Sequence, residues 1–268
     1  MNDVIYAAHT ERLQTSIDDA VLHIRFNNPA KHNALTMDMW EGVPGLVRQA
    51  EKDDRVRLVV FSGVGDKSFI SGADISQFDD LRAAKEAVKH YEQTAEGALQ
   101  SILECAKPTI ACIRGYCIGG GMNVAISCDI RVASTDALFS IPATRLGLGY
   151  RVSAMQNLVN LVGPGFAQDI FFTGRRLDAA EALRIGLVNR VAAPNELDAL
   201  LKEYTSAIAT GAPLTIRAGK RIVREVLKAD GIDMDACRKL ISDCFDSDDY
   251  AEGRRAFMEK RKPQFKGR

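Results

Sequence analysis

The chain has 268 residues, of which 46% are hydrophobic and 26% are charged. Lysine plus arginine and aspartate plus glutamate are equal at 35 each, so the formal net charge is +0. This balance gives no electrostatic reason to expect binding to nucleic acid or to an anionic membrane. The N-terminal stretch MNDVIYAAHTERL lacks a secretory-signal pattern, and no apolar run approaches the ~20 residues of a membrane helix. We therefore expect a cytoplasmic protein.

Cysteine and histidine spacing gives no reason to predict a metal site or a disulfide framework. None of the six cysteines forms a Cys-x-x-Cys pair, and no two of the four histidines have metal-ligand spacing. We predict buried, reduced thiols and no bound metal.

Strand patterns and helix patterns alternate through the first 195 residues. Predicted strands lie at residues 21–28, at 56–63, at 107–115, at the start of 137–150 and at the end of 178–191. The first predicted helix has Thr36 as its N-cap and ends near residue 53. A second follows the glycine-containing loop at residues 65–78 and ends at residue 100, and a third forms the start of the segment 178–191. The alternation predicts an α/β core.

The pattern changes after Pro194. The remaining chain contains four segments with helical periodicity and no strand pattern. We predict two regions, an α/β core over residues 1–195 and a C-terminal helical region over residues 196–268.

Three consecutive glycines stand where a strand gives way to a helix, in CIGGGMN at residues 117–123. The first N–H groups of a helix have no intrahelical partner, and the helix dipole adds positive charge there. Such a turn suits a phosphate or an oxyanion that develops on a carbonyl. The spacing matches neither the dinucleotide-binding nor the P-loop fingerprint, which disfavours a nucleotide.

A second small-residue turn, FISGADI at residues 69–75, also lies between a strand and a helix. Two such turns can donate one N–H each to a single oxygen. This is the arrangement of an oxyanion hole.

Motifs along the whole chain resemble those of the enoyl-CoA hydratase/isomerase family, also called the crotonase superfamily. They are NNPAKHNALT, FISGADI, PTIACIRGYCIGGGMNVAISCDIRVAS, FSIPATRLGLG, FFTGRRLDAAEALRIGLVNRV and YAEGRRAFMEKRKPQF, in the order and spacing of the family. The resemblance implies a spiral of strand–strand–helix turns and a C-terminal helical region used in trimers or dimers of trimers. It implies an acyl-CoA thioester as substrate and no separate cofactor, because coenzyme A is part of the substrate.

The resemblance also implies the roles of individual residues. The backbone N–H groups of Ala73 and Gly120 are expected to hold the thioester oxygen. The other residues that the motifs place at the acyl-CoA site are Lys31, Ala34, Leu35, Ser71, Asp74, Ile75, Tyr116, Gly119, Pro142, Ala143, Arg145, Leu148, Phe257 and Lys260. Residues 31–35 are expected against the adenine and pantetheine. Phe257 and Lys260 are expected to reach coenzyme A from a neighbouring chain, with the lysines near phosphates.

Two departures from the family pattern bear on the reaction. The hydratases of the family carry one glutamate where this chain has Asn123 and a second where it has Ala143. Water addition needs a base near the water and a proton for the α-carbon, and neither an amide nor a methyl group supplies these. Asn123 can still orient a water or a polar substituent through hydrogen bonds. We therefore do not expect ordinary hydratase activity.

Tyr150 is a further catalytic candidate, because it stands where a decarboxylating branch of the family has a tyrosine. That methylmalonyl-CoA decarboxylase branch carries a histidine at the position of Ala73 and a glutamate at that of Asn123, so the resemblance is partial. Arg145 and Arg151 flank the tyrosine. Either can hold a second carboxylate of a substrate or lie on the surface.

Three functions follow as hypotheses. The first is an acyl-CoA lyase or isomerase that acts through a thioester enolate, with decarboxylation as its specific alternative. The second is a non-catalytic acyl-CoA binder, and the third is RNA binding, which the balanced charge disfavours.

Overall fold

The computed structural model describes residues 6, 8–74, 85–228 and 230–268. The strands are β1 (Leu13–Asp18), β2 (Val21–Phe26), β3 (Leu58–Gly63), β4 (Ser68–Ile70), β5 (Thr109–Ile113), β6 (Tyr116–Ile118), β7 (Ile130–Ser134), β8 (Leu138–Ser140), β9 (Leu177–Asp178) and β10 (Arg190–Ala192). The helices are α1 (Met37–Lys52), α2 (Lys85–Glu104), α3 (Gly120–Ser127), α4 (Val152–Thr173), α5 (Ala179–Arg184), α6 (Leu197–Ala209), α7 (Pro213–Val226), α8 (Met234–Phe245) and α9 (Asp248–Met258).

The strands form two sheets that share the turns of a spiral. One sheet has the order β1-β2-β3-β5-β7-β10 and the other the order β4-β6-β8-β9. Each turn adds one strand to each sheet and then a helix, as β3–β4–α2, β5–β6–α3 and β7–β8–α4. The neighbouring strands of successive turns are parallel in both sheets. The strand–strand–helix spiral and the α/β fold class are therefore confirmed.

The six-stranded sheet is buried on both faces, which explains the nearly continuous apolar runs of its strands. In β3, Val59 and Phe61 point into the larger core, where Phe61 and Phe26 stack with ring centroids 6.4 Å apart. Leu58 and Val60 point to the other face and pack in a second cluster. Leu197 and Leu200 of α6 cover that cluster, so the first helix after the sheet closes its outer face.

The helical region from residue 197 onward begins where the sequence pattern changes. Helices α6–α9 follow the last described strand, β10, and α7 and α8 pack on each other. Whether residues 1–195 and 196–268 are separate units stays a prediction. In the parts of the chain that the structure describes, no helix is both long and apolar enough to cross a membrane.

Several elements were not predicted from the sequence. β4 and β6 have three residues each, too few to show an alternating pattern. Helix α4 was also missed, because Gly163 and Pro164 interrupt its pattern and Gly163 has φ +74°. Asp178 caps α5, since Glu181 N–H donates to Asp178 Oδ1 at 2.8 Å.

Candidate active site

Three neighbouring parallel strands end at one edge of the smaller sheet. β4 pairs with β6, and β6 with β8, in parallel register. Their carboxyl ends therefore bring three loops together, with Ala73 after β4, Gly120 after β6 and Ala143 after β8. This is the usual position of a ligand site in parallel sheets.

The loop after β4 is held in an extended form by the segment before α1. Leu35 and Ala73 form a parallel β-bridge, in which Leu35 N–H donates to Gly72 O and Asp74 N–H donates to Leu35 O, both at 2.8 Å. Because the flanking residues make these bonds, the N–H of Ala73 points to the opposite side. Asn33 fixes the segment by donating from Nδ2 to Ser68 O at 2.8 Å.

The glycine turn after β6 packs directly against the loop after β4. A Cβ added at Gly119 would lie 3.8 Å from Gly72 Cα, and one at Gly121 would lie only 2.4 Å from Ile70 O. Gly119 has φ +54°, and its N–H donates to Ser140 O at 2.9 Å. Gly120 is the first residue of α3, so its N–H precedes the first intrahelical hydrogen bond. Among the described residues, neither this N–H nor that of Ala73 has an acceptor.

These loops enclose a cavity of about 180 Å³. The predicted residues that line it are Ser71, Ala73, Gly119, Gly120, Asn123, Pro142, Ala143, Leu148 and Tyr150. The structure thus brings all four proposed catalytic residues to one cavity, together with the position of each missing glutamate. The wall is otherwise largely apolar and includes Trp40 and Leu146. A small apolar cavity with a few polar groups is typical of a small-molecule site.

Asn123 and Tyr150 form a direct hydrogen bond across the cavity wall. The Tyr150 hydroxyl donates to Asn123 Oδ1 at 2.5 Å, and Asn123 lies in the first turn of α3. Burial raises the pKa of the Tyr150 hydroxyl above its ordinary value of 10.0, against smaller lowering effects of Arg151 and of the bond to Asn123. Tyr150 therefore stays a neutral phenol at neutral pH, which suits donating a proton rather than removing one.

Sequence reasoning missed a carboxylate and an ion pair at the cavity. Glu92 of α2 and Arg151, the N-cap residue of α4, both line it. Arg151 Nη2 lies 2.8 Å from Glu92 Oε2, and Arg151 Nε lies 3.4 Å from Glu96 Oε2. The sequence offered only a polar helix here, because nothing in it shows that α2 passes over the strand ends.

Other residues predicted at the acyl-CoA site lie outside the cavity. Lys31 Nζ lies 2.8 Å from Asp74 Oδ2 beside the loop after β4. Ala34 is buried, and the side chain of Leu35 is buried behind the glycine turn, where it supports the backbone. Tyr116 packs edge-on against His32, with ring centroids 5.9 Å apart.

The remaining predicted residues are exposed or undescribed. Arg145 is exposed on the loop after β8 and does not line the cavity, whereas Arg151 does. Phe257 and Lys260 lie exposed at the end of α9. Ile75 lies outside the described residues.

No cysteine or histidine is among the described residues that line the cavity. Five of the six cysteines are buried and all six are free, as predicted. Burial raises the pKa of the Cys117 thiol, the one next to the glycine turn. The described residues contain no cluster of histidine, cysteine and acidic side chains that would hold a metal ion.

Comparison with known proteins gives the same family as the motifs. The enoyl-CoA hydratase/isomerase family model matches residues 16–268. A short-chain-enoyl-CoA hydratase of Clostridium acetobutylicum is 34% identical over 248 residues, which are 91% of this chain and 94% of that protein. A peroxisomal Delta(3,5)-Delta(2,4)-dienoyl-CoA isomerase of Arabidopsis thaliana is 32% identical over 95% of this chain and 96% of its own length.

A solved structure agrees in fold along the whole chain. The enoyl-CoA hydratase/carnithine racemase of Magnetospirillum magneticum superposes with a TM-score of 0.94 and 33% identity, and 99% of each chain is covered. The chain therefore belongs to the enoyl-CoA hydratase/isomerase family, the crotonase superfamily.

Proposed function

We propose that this chain is an enoyl-CoA isomerase, which moves a carbon–carbon double bond of an acyl-CoA thioester through an enolate. The observation that carries the proposal is the pair of N–H groups on Ala73 and Gly120. Both belong to turns at the ends of adjacent parallel strands, both lie at one cavity, and neither has an acceptor among the described residues.

The mechanism follows from where negative charge develops. Removing a proton from the α-carbon of the thioester sends the electron pair to the thioester oxygen. Two N–H donors aimed at that oxygen stabilise the enolate, and the dipole of α3 adds to them. Return of the proton to the other end of the conjugated system completes the shift. No resident cofactor takes part, because coenzyme A is part of the substrate.

Isomerisation suits this cavity better than hydration. Positions 123 and 143 line the cavity but carry an amide and a methyl group. Water addition uses one group to activate water and another to deliver a proton, whereas a double-bond shift needs one carrier for one proton. The relatives are named for both reactions, hydration and dienoyl-CoA isomerisation.

The proposal is tested by incubating the protein with 3-hexenoyl-CoA and, separately, with crotonyl-CoA. We expect conversion of the first to its conjugated isomer, seen as a new ultraviolet absorbance at unchanged mass. We expect little hydration of the second, seen as a gain of one water by mass spectrometry. Efficient hydration without isomerisation would contradict the proposal. Tight binding of both thioesters without any product would favour the non-catalytic binder.

One observation favours a second candidate, decarboxylation of a malonyl-type thioester. Loss of carbon dioxide leaves the same enolate, and the neutral hydroxyl of Tyr150 is placed in the cavity wall to protonate it. If methylmalonyl-CoA or ethylmalonyl-CoA is turned over, Tyr150→Phe is expected to slow product formation about 10²-fold, as is common for loss of a general acid. An equal rate in Tyr150→Phe would remove the tyrosine from this mechanism.

We also infer that the protein assembles through its C-terminal helices into a trimer or a dimer of trimers. Large apolar side chains are exposed there, among them Phe245 and Phe257 at 60% and 83%. A contiguous exposed apolar surface favours association. Phe257 and Lys260 would then contribute to the coenzyme A site of a neighbouring chain.

A further inference from the structure

We propose that Glu92 is the proton carrier of this site and replaces the two glutamates that are absent at positions 123 and 143. The inference deepens the proposed isomerase function and rests on it. It also names the substrate class more closely, as an enoyl-CoA whose acyl chain carries no second carboxylate.

Glu92 is the only carboxylate among the described residues that line the cavity. It comes from α2, which follows the loop that carries Ala73, and it shares the cavity with Gly120 from the next turn of the spiral. The carboxylate of Glu92 and the two N–H groups of Ala73 and Gly120 therefore lie at the same cavity, although they belong to different elements. The Glu92 side chain is 45% exposed, so it is accessible to a bound acyl chain as well as to Arg151.

Arg151 holds this carboxylate in place. Arg151 is only 19% exposed, and its Nη2 lies 2.8 Å from Glu92 Oε2. Glu96 lies one helical turn further along α2, and its Oε2 is 3.4 Å from Nε of the same guanidinium. The neighbouring Tyr91 accepts a hydrogen bond from Trp40 Nε1 at 3.3 Å, which ties this turn of α2 to the core.

The charge of this group selects against acidic acyl chains. Two carboxylates around one guanidinium sum to one formal negative charge beside the cavity. Arg151 is thus already paired, and a second carboxylate on the substrate would meet Glu92 rather than a free cation. Arg151 is the only cationic side chain among the described residues of the cavity wall. A neutral enoyl chain meets no such repulsion.

Glu92 alone can both remove and return the proton. The carboxylate forms an O–H bond as the C–H bond of the substrate breaks, and the electron pair moves to the thioester oxygen between Ala73 and Gly120. Glu92 then returns the proton to the other end of the conjugated system. The electron pair comes back from the oxygen, the double bond has moved, and Glu92 is again ionised.

The test compares Glu92→Gln with Glu96→Gln, using 3-hexenoyl-CoA as substrate. Both variants remove one negative charge from Arg151, but only Glu92 lines the cavity. We expect Glu92→Gln to lower kcat about 10²- to 10⁴-fold, with the Kd for the thioester changed less than about threefold. We expect Glu96→Gln to keep kcat within about threefold of the unsubstituted protein. Glu92→Asp, which keeps a carboxylate, should recover part of the loss.

The outcomes separate this inference from the proposed function. If the unsubstituted protein isomerises 3-hexenoyl-CoA and Glu92→Gln does so equally fast, Glu92 is not the carrier and the isomerase function stands. If the unsubstituted protein gives no isomer, the function and this inference both fail. If Glu92→Gln does not fold, as judged by its melting curve, the ratio of Glu92→Asp to Glu96→Gln decides. Equal kcat in those two variants would overturn the role of Glu92.

Discussion

Replacing Gly120 by proline is expected to lower kcat/KM about 10²- to 10³-fold, the usual effect of losing one oxyanion-hole donor. Proline has no N–H, and the first position of a helix accepts its fixed φ. Gly120 occupies that position in α3. The substitution therefore removes the proposed donor at the place in the helix where proline is best tolerated. The measurement is the steady-state rate with 3-hexenoyl-CoA.

Gly120→Ala is the matched control, because it adds a Cβ and keeps the N–H. That Cβ would lie 3.1 Å from Leu35 Cδ1 and 3.5 Å from Trp40 Cζ2, so alanine itself has a steric cost. We expect the alanine variant to lose much less activity than the proline variant, at similar melting temperatures. Equal losses in both variants would show that the Cβ, not the N–H, matters at this position.

Trp40→Ala is expected to lower the free energy of unfolding by about 3–5 kcal/mol, the usual cost of removing a large aromatic side chain from a core. Trp40 is 2% exposed and packs in the main core cluster. Its ring edge also supports the glycine turn, and its Nε1 donates to the Tyr91 hydroxyl at 3.3 Å. Urea unfolding at one fixed protein concentration measures the change.

Trp40→Phe keeps an aromatic ring and removes the donor to Tyr91. A lost hydrogen bond of this kind costs about 1 kcal/mol, so most of the stability should remain. Because Tyr91 adjoins Glu92, we also expect this variant to lose activity beyond its small loss of stability. A cost below about 1 kcal/mol for Trp40→Ala would contradict the supporting role of the indole.

The sequence predicted the elements whose pattern is local. Helix α1 begins directly after Thr36, and helices α6–α9 lie in the four segments after Pro194 whose periodicity indicated helices. The two small-residue turns also predicted paired N–H donors. Chain order alone does not show that β4 and β6 are adjacent, however. The spiral makes these two strands adjacent, and only the resemblance to the family predicts the spiral.

Residues whose roles depend on tertiary placement were less predictable. Glu92 and Glu96 look like any solvent-facing pair on a polar helix until α2 is placed over the cavity. Arg145 and Arg151 stand on either side of Tyr150 in sequence, yet only Arg151 lines the cavity. Leu35 forms a backbone bridge to Ala73 while its side chain is buried, and its expected position against coenzyme A stays a prediction.

We propose that the N–H groups of Ala73 and Gly120 together hold the thioester oxygen. A crystal structure of the protein with acetoacetyl-CoA tests it most directly, since this ligand forms an enolate. We expect the thioester oxygen within about 2.7–3.1 Å of both backbone nitrogens. A well-ordered ligand whose thioester oxygen contacts neither nitrogen would contradict it.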